Sequence, residues 1–310
     1  MSARRWSSLV AGGALAAALC GCGLGAGAAP RAVSLLVTRD FGARTLRPGV
    51  APKVAGQETV MSLLMRNDSV QTRYSGGFVQ SIDGAAGGHE NGQPLDWFYY
   101  VNGVESETGA AERTVRPGDH IWWDLHDWSQ TDHVPAVVGS FPEPFLNGLE
   151  GKRLPVRVEC EAVASYACRT VDARLREAGV PAAIAAPSSG PASATLRVLV
   201  ATFKRVRGEP PAAALTSGPS ASGVYARFAA GGSTLTLLDA DGRATRTLGA
   251  GAGLIAATRR EGEAPVWLVT GVDEAGVDLA AHSFNASALH ARFALAASGA
   301  QTFPLPDAGA

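Results

Sequence analysis

Residues 120–128, HIWWDLHDW, place three tryptophans, two histidines and two aspartates in nine positions. The stretch follows RPGD at 116–119, a turn sequence with proline and glycine in the central positions. Its aromatic content predicts a β-strand. Because side chains alternate between the two faces of a strand, odd-numbered residues lie on one face and even-numbered residues on the other. What each face contacts decides both the fold and the location of a site.

The odd face of this strand is apolar. Three of its four positions carry large hydrophobic side chains, namely Ile121, Trp123 and Leu125. Upstream, the segment at 56–68, GQETVMSLLMRND, has Val60, Leu63 and Leu64 at helical spacing and ends in Asn-Asp. We therefore expect a short amphipathic helix at this segment, packed on the odd face of the strand.

The even face combines aromatic and ionisable side chains, which predicts a surface rather than buried core. Flat apolar walls with a few polar groups are typical of a site for a planar organic ligand. The neighbouring segment at 95–103, LDWFYYVNG, forms a hairpin at its Asn-Gly pair and adds two more candidates. The expected ligand-binding residues are Trp122, Trp128, His120, His126, Asp124, Tyr100 and Asn102.

Other interpretations of the even face remain open. Tryptophan and tyrosine favour strands and are often half-buried there for structural reasons. The face could instead dock another protein. A zinc site using His120, Asp124 and His126 would need a sharp bend, because residues six apart on a straight strand are about 20 Å apart. We therefore predict no metal site.

Catalytic motifs are not evident in the sequence. There is no G-x-S-x-G elbow, and the glycine-rich segment at 248–254, LGAGAGL, lacks the Lys-Ser/Thr of a phosphate-binding loop. We expect a protein that is not an enzyme and carries no cofactor. The 27 basic and 28 acidic residues form no basic patch, so nucleic acid is not expected as a partner.

The first 22 residues have the pattern of a lipoprotein signal peptide. Arg4 and Arg5 precede an apolar run at 9–19, and LCGC at 19–22 fits a lipobox with Cys22 as the acylated residue. Cleavage before Cys20 fits the lipobox pattern less well. The alternatives for this segment are a signal peptide for secretion without a lipid and an uncleaved membrane anchor. The prediction is attachment through lipid to the outer face of the cytoplasmic membrane.

The mature sequence divides by composition into two folded parts. Residues 23–31 are a Gly/Ala tether, 32–148 form a first domain, and a Pro- and Gly-containing linker lies within 142–154. Residues 155–298 alternate strands with helices, which predicts an α/β sandwich, and 299–310 are expected to be disordered. Cys160 and Cys168 are expected to form a disulfide, since the protein lies in an oxidising compartment.

A family resemblance supports the α+β prediction for the first domain. The matching residues, which follow the patterns W-x-Y-x-V-N-G and G-D-x-I-x-W, are Trp97, Tyr99, Val101, Asn102, Gly103, Gly118, Asp119, Ile121 and Trp123. They resemble the transcobalamin-like C-terminal domain family over about residues 32–128. The resemblance implies a β-grasp-like fold. In the vertebrate carriers, this domain lies over one face of cobalamin, opposite a helical barrel.

The sequence therefore predicts a lipid-anchored extracytoplasmic binding protein. It would capture a corrinoid or another flat molecule and pass it to a membrane importer. No helical barrel is present, so residues 155–298 or a partner would supply the second wall. The alternative is a non-catalytic envelope scaffold that uses the aromatic face to bind another protein.

Overall fold

Two sheet regions make up the structure, which is a computed structural model describing residues 32–187 and 194–309. The predicted signal peptide, Cys22 and the tether lie outside the described residues. The strands of the first region are β1 (Ser34–Arg39), β2 (Arg44–Val50), β3 (Val70–Arg73), β4 (Phe78–Ile82), β5 (Ala85–Ala86), β6 (Gly88–Glu90), β7 (Gln93–Val101), β8 (Val104–Glu105) and β9 (His120–Asp127). Its helices are α1 (Val60–Asn67) and a 3₁₀ turn (Tyr74–Gly76).

The main sheet of the first region has the order β2-β1-β9-β7-β6, with β8 beside β7. The central strands β1 and β9 are parallel, and each has an antiparallel neighbour on its other side. The chain passes from β2 to α1 before it returns to the sheet. This is the expected β-grasp-like arrangement, and the α+β fold is confirmed. Strands β3, β4 and β5 form a separate small sheet.

Helix α1 covers the odd face of β9, as the sequence predicts. Thr59 caps the helix by accepting a hydrogen bond from the Ser62 backbone N–H at 3.2 Å. Buried side chains from the helix and the strand share one hydrophobic cluster, which includes Val60, Leu63, Leu64, Ile121, Trp123 and Leu125. Their burial removes the apolar face of α1 from water, which is the main source of stability for so short a helix.

The predicted hairpin at Asn102 is confirmed. Asn102 and Gly103 have φ values of 54° and 75°. Positive φ at both central positions is what a two-residue type I′ turn requires, and asparagine and glycine tolerate it best. The turn joins β7 to β8 with Val101 opposite Val104.

The second region is built on a seven-stranded sheet. The strands of the whole region are β10 (Val156–Cys160), β11 (Ala182–Ala185), β12 (Leu196–Thr202), β13 (Ala226–Phe228), β14 (Leu235–Leu238), β15 (Ala244–Leu248), β16 (Gly253–Thr258), β17 (Val266–Gly271), β18 (Ala294–Ser298) and β19 (Gln301–Leu305). Of these, β13, β14 and β15 form a separate small sheet. The helices are α2 (Tyr166–Glu177), α3 (Phe203–Val206), α4 (Pro210–Ala214), α5 (Pro219–Ser222), α6 (Glu274–His282) and α7 (Ala286–Leu289).

The large sheet is parallel on one side and antiparallel on the other. Its order is β11-β10-β12-β17-β16-β18-β19, and the first four strands are parallel. Strands β12 and β17 are buried almost throughout, as expected for parallel strands covered on both faces. The predicted disulfide joins Cys160 at the end of β10 to Cys168 in α2.

The two regions share a hydrophobic core, which the sequence did not predict. One cluster combines Leu36, Tyr100 and Trp122 of the first region with Tyr225 and Phe293 of the second. The expected linker is also packed, since Phe145 is buried in a second cluster with strands of the large sheet. Residues 143–145 of the expected linker are therefore buried, whereas residues 150–153 are exposed.

The prediction that residues 299–310 are disordered is wrong. Residues Gln301–Leu305 form β19, which pairs antiparallel with β18 along its whole length. Gly299 adopts a φ of 58° in the connecting turn. Its first two residues, Gln301 and Thr302, are exposed, as expected at the edge of a sheet, whereas Leu305 is buried. Across residues 32–187 and 194–309, no helix has the length and apolar character needed to cross a bilayer.

Candidate functional site

The even face of β9 is buried, contrary to expectation. Trp122 and Asp124 are fully buried and His126 nearly so. The ring of Phe293 meets both Trp122 and His126 edge-on, with ring centroids 5.3 Å apart in each case. The aromatic face thus docks on the second region of its own chain. These three side chains form an internal interface, not an open ligand surface or a docking face for another protein.

Asp124 is held by a complete set of donors. Its carboxylate accepts hydrogen bonds from the Thr38 hydroxyl at 2.5 Å and from the backbone N–H groups of Phe41 and Gly42 at 3.0 and 2.9 Å. Nδ1 of His126 lies 2.9 Å from the same carboxylate. A buried carboxylate is stable only when its hydrogen bonds are satisfied, and here they are.

The His126 ring lies between two phenylalanines. Its centroid is 4.5 Å from that of Phe41 and 4.4 Å from that of Phe98, and both pairs are stacked. The sequence predicted that this imidazole would contact a ligand. In the structure, the two faces of the imidazole instead stack on Phe41 and Phe98.

The two predicted residues of the neighbouring hairpin are also internal. Tyr100 is fully buried with its ring centroid 5.7 Å from that of Trp122, and burial raises the pKa of its phenol well above the ordinary value. Asn102 donates to the Gly148 carbonyl at 2.8 Å and accepts from the His120 backbone N–H at 2.8 Å. Asn102 therefore fastens the turn to the connection between the two regions.

His120 and Trp128 lie at the two ends of the strand. Nδ1 of His120 is 2.6 Å from the Ser34 hydroxyl, and burial lowers the pKa of the imidazole to about 4, with His290 adding to the effect. Trp128 is 36% exposed, the most accessible of the predicted ligand-binding residues. Its contact with a ligand stays a prediction. Within the part of the chain that the structure describes, no group of three or more His, Cys, Asp or Glu side chains is placed to hold a metal.

A cleft of about 400 Å³ opens beside the β7–β8 hairpin, and we call it the hairpin cleft. Its walls come from three places: residues 101–108 with Arg113, the connection at 149–154, and the turn between β16 and β17. The lining residues are Val101, Asn102, Val104, Glu105, Ser106, Glu107, Thr108, Arg113, Leu149, Glu150, Lys152, Leu154, Arg259, Gly262, Glu263 and Ala264. The cleft therefore lies where the two regions meet, a common position for ligand sites.

Most charges of the hairpin cleft are paired. Arg113 lies 3.2 Å from Glu150, and Arg259 forms an ion pair with Glu107. The Arg259 pair links the first region to the second. These pairs neutralise much of the rim and hold its side chains in place.

Two further contacts complete the electrostatics. Glu105 accepts from His133 Nδ1 at 2.7 Å and from the Val134 backbone N–H at 2.8 Å, and this contact raises the pKa of His133. The ammonium group of Lys152 forms no ion pair among residues 32–187 and 194–309. The cleft therefore contains one cation that a bound anion could pair with.

A second cavity, of about 280 Å³, lies on the other side of the loop at 105–108, and we call it the aromatic cleft. It is lined by Met61, Gly77, Phe78, Val79, Trp97, Phe98, Tyr99, Glu105, Ser106, Glu107, Thr108, Gly109, Ala110 and Trp123. Trp97, Tyr99 and Trp123 belong to the aromatic motif noted in the sequence. The sequence placed Trp123 on the helix-facing side, but it could not show that packing there leaves a cavity.

Few features of the sequence indicate the hairpin cleft. Its charged residues lie between positions 105 and 263 and meet only because the two regions share a core. One available signal is the polar loop at 105–108, which follows the Asn-Gly turn and suggests a surface feature beside the hairpin.

Comparisons with known proteins match the first region. Residues 57–127 are similar to the family described as "Domain of unknown function (DUF4430)", and this stretch includes α1, β7 and β9. No curated protein matches the chain. One matching crystal structure is titled as a "putative metal binding protein" from Ruminococcus gnavus ATCC 29149. It is 14% identical, covers 31% of this chain and 97% of its own, and has a TM-score of 0.26.

Proposed function

We propose that this protein is a lipid-anchored, extracytoplasmic binding protein that takes a small anionic, partly apolar ligand into the hairpin cleft. The observation that carries the proposal is the ammonium of Lys152, which forms no ion pair with any residue that the structure describes and lines a cleft of about 400 Å³. That volume lies within the range of small-molecule sites, roughly 300–1,000 Å³. The role is binding rather than catalysis.

The ligand class follows from the lining. Val104, Leu149 and Leu154 supply apolar surface, and the charges around them are mostly in ion pairs. A ligand with an apolar body loses little by entering such a site, because it displaces water from apolar surface. Its anionic group would pair with Lys152, at the modest energy of a solvent-accessible ion pair.

A corrinoid is the second candidate ligand, and the motif at Trp97, Tyr99 and Trp123 supports it through resemblance. A corrinoid is larger than the hairpin cleft, so it would rest across the mouth with its side chains reaching in. The burial of Trp122 argues against stacking of the corrin ring on the even face of β9. In either case the partner that receives the ligand would be a membrane importer.

The anchoring part of the proposal rests on the sequence pattern around Cys22. A lipid on this residue would hold the binding region outside the cytoplasm and beside the membrane. Replacement of Cys22 by serine should release the protein from the membrane fraction. A variant that stays in the membrane fraction after a high-salt wash would contradict lipid anchoring through Cys22.

The binding proposal can be tested with 8-anilinonaphthalene-1-sulfonate, an anionic amphiphile that becomes fluorescent in apolar sites. We expect saturable binding by the purified protein and an affinity several-fold weaker in Lys152→Gln. The matched control is Lys204→Gln, an exposed lysine of α3 outside the cleft. Equal affinities in both variants would overturn the assignment to the hairpin cleft.

A competition experiment with the bound dye tests whether a corrinoid binds in the hairpin cleft. Cobinamide and cobalamin are titrated against the bound dye, and displacement at micromolar concentration would support a corrinoid at the same cleft. Failure to displace the dye would leave a smaller anion as the proposed ligand.

A further inference from the structure

One of the residues that line the aromatic cleft has a buried hydrogen-bond donor without an acceptor. Trp123 lines this cleft and is 2% exposed, and its indole N–H has no partner in the described part of the chain. Buried donors in folded proteins are almost always satisfied, so an unsatisfied one requires an explanation. A bound ligand that carries an acceptor would supply it.

The other tryptophan of the cleft provides the contrast. Trp97 donates its indole N–H to the Ala85 carbonyl at 3.3 Å, so its donor is used within the protein. The two side chains line the same cavity, but only Trp97 donates its indole N–H to an acceptor in the described part of the chain. Of the two indoles that line this cleft, the one with the unused donor is therefore that of Trp123.

The walls of the cleft are aromatic and positioned by contacts. The rings of Tyr99 and Trp123 stack with centroids 4.8 Å apart. The Tyr99 hydroxyl lies 2.6 Å from the Ser106 hydroxyl, which fixes the loop that forms one side of the cavity. Aromatic walls favour a flat ring in offset or edge-to-face contact.

We propose that the aromatic cleft is a second ligand site, for a neutral flat ring system with a hydrogen-bond acceptor on its edge. The acceptor receives the Trp123 indole N–H, and the ring packs against Trp97 and Phe78. The cavity of about 280 Å³ accommodates a fused two-ring compound rather than a larger one. This site is separate from Lys152, so it does not depend on the hairpin cleft being occupied.

Quinoline and naphthalene form a suitable probe pair, because they have the same shape and only quinoline carries an acceptor nitrogen. We expect quinoline to bind more tightly, by about fivefold to tenfold, the factor that one neutral hydrogen bond supplies. Trp123→Phe should remove this preference. Trp97→Phe, which also replaces an indole in the cleft, should keep it while weakening both probes.

A second measurement covers the case in which Trp123→Phe does not fold. In the ¹H–¹⁵N spectrum of the unaltered protein, quinoline should shift one tryptophan indole signal downfield, and naphthalene should leave that signal without a downfield shift. Equal binding of the two probes, or no shift of an indole signal by quinoline, would overturn the proposal. Neither result depends on the dye titration, so this site and the hairpin cleft can fail separately.

Discussion

The hydroxyl of Thr38 lies 2.5 Å from the carboxylate of Asp124, and both side chains are fully buried. The same hydroxyl accepts the indole N–H of Trp122 at 2.6 Å. Thr38 therefore joins the polar atoms of two neighbouring residues on the even face of β9. This relationship explains how a face with an aspartate and a histidine can be part of the core, since the Asp124 carboxylate, the Trp122 indole N–H and Nδ1 of His126 all have partners.

Replacement of Thr38 by valine should destabilise the protein by about 2 kcal/mol, because Trp122 then loses its acceptor and Asp124 loses one donor. Valine has nearly the same shape, so no cavity contributes. The measurement is the free energy of unfolding in urea. Thr45→Val is the matched control, since Thr45 pairs with Thr38 across the sheet but is exposed. Similar losses in both variants would contradict the role of the buried network.

Replacement of Gly139 by alanine should separate the two regions locally and cost about 1–3 kcal/mol or more, as expected for overpacking. A Cβ at this position would lie 2.5 Å from the Arg292 backbone nitrogen and 2.7 Å from the Trp122 ring. The expected result is a lower urea midpoint with a single transition. Gly249→Ala is the control, because its Cβ would meet nothing within 4 Å. An unchanged midpoint in Gly139→Ala would mean that this contact is not tight in solution.

Local patterns predicted much of the fold. The helical spacing at 60–64, the Asn-Gly turn and the alternation in β9 depend on neighbouring residues, and the structure agrees with each. The disulfide and the α/β alternation of the second region follow similarly from short spacings. Such features are determined by geometry within one element or one turn.

The location of the site could not be predicted in the same way. The even face of β9 looks like a ligand surface when only its own residues are considered. It becomes core because Phe293, which lies 171 positions after Trp122 in the chain, packs on it. The hairpin cleft likewise needs Arg259 and Lys152 brought to one place. Both results depend on contacts between distant segments, which carry no signal in a local pattern.

Removal of the disulfide should lower stability by about 2–3 kcal/mol, the amount expected for a short closed loop. Cys160 and Cys168 are eight positions apart and fully buried. The double variant Cys160→Ala/Cys168→Ala should therefore melt at a lower temperature than the oxidised protein. The control is the unaltered protein denatured with a reductant present, which should show a similar loss. A melting temperature equal to that of the oxidised protein would contradict a stabilising disulfide.

The pKa values of two histidines should be shifted in opposite directions from the ordinary value. Burial lowers the pKa of His120 to about 4, and the hydrogen bond to Glu105 raises the pKa of His133 above its ordinary value of 6.5. Because folded His120 binds its proton less readily than the unfolded chain does, stability from this group is complete above about pH 6.5. It is lost as the pH falls toward 4, by up to about 3 kcal/mol.

Imidazole proton shifts recorded from pH 3.5 to pH 8 would test this directly. The His120 signal should move only near pH 4, while the His133 signal should move above pH 6.5. Glu105→Gln should bring the pKa of His133 back toward 6.5. It should leave the pKa of His120 unchanged, because Glu105 contacts His133 and not His120. Titration of His120 near 6.5 would instead mean that its ring is exposed to water, and the contact with Ser34 would then not persist in solution.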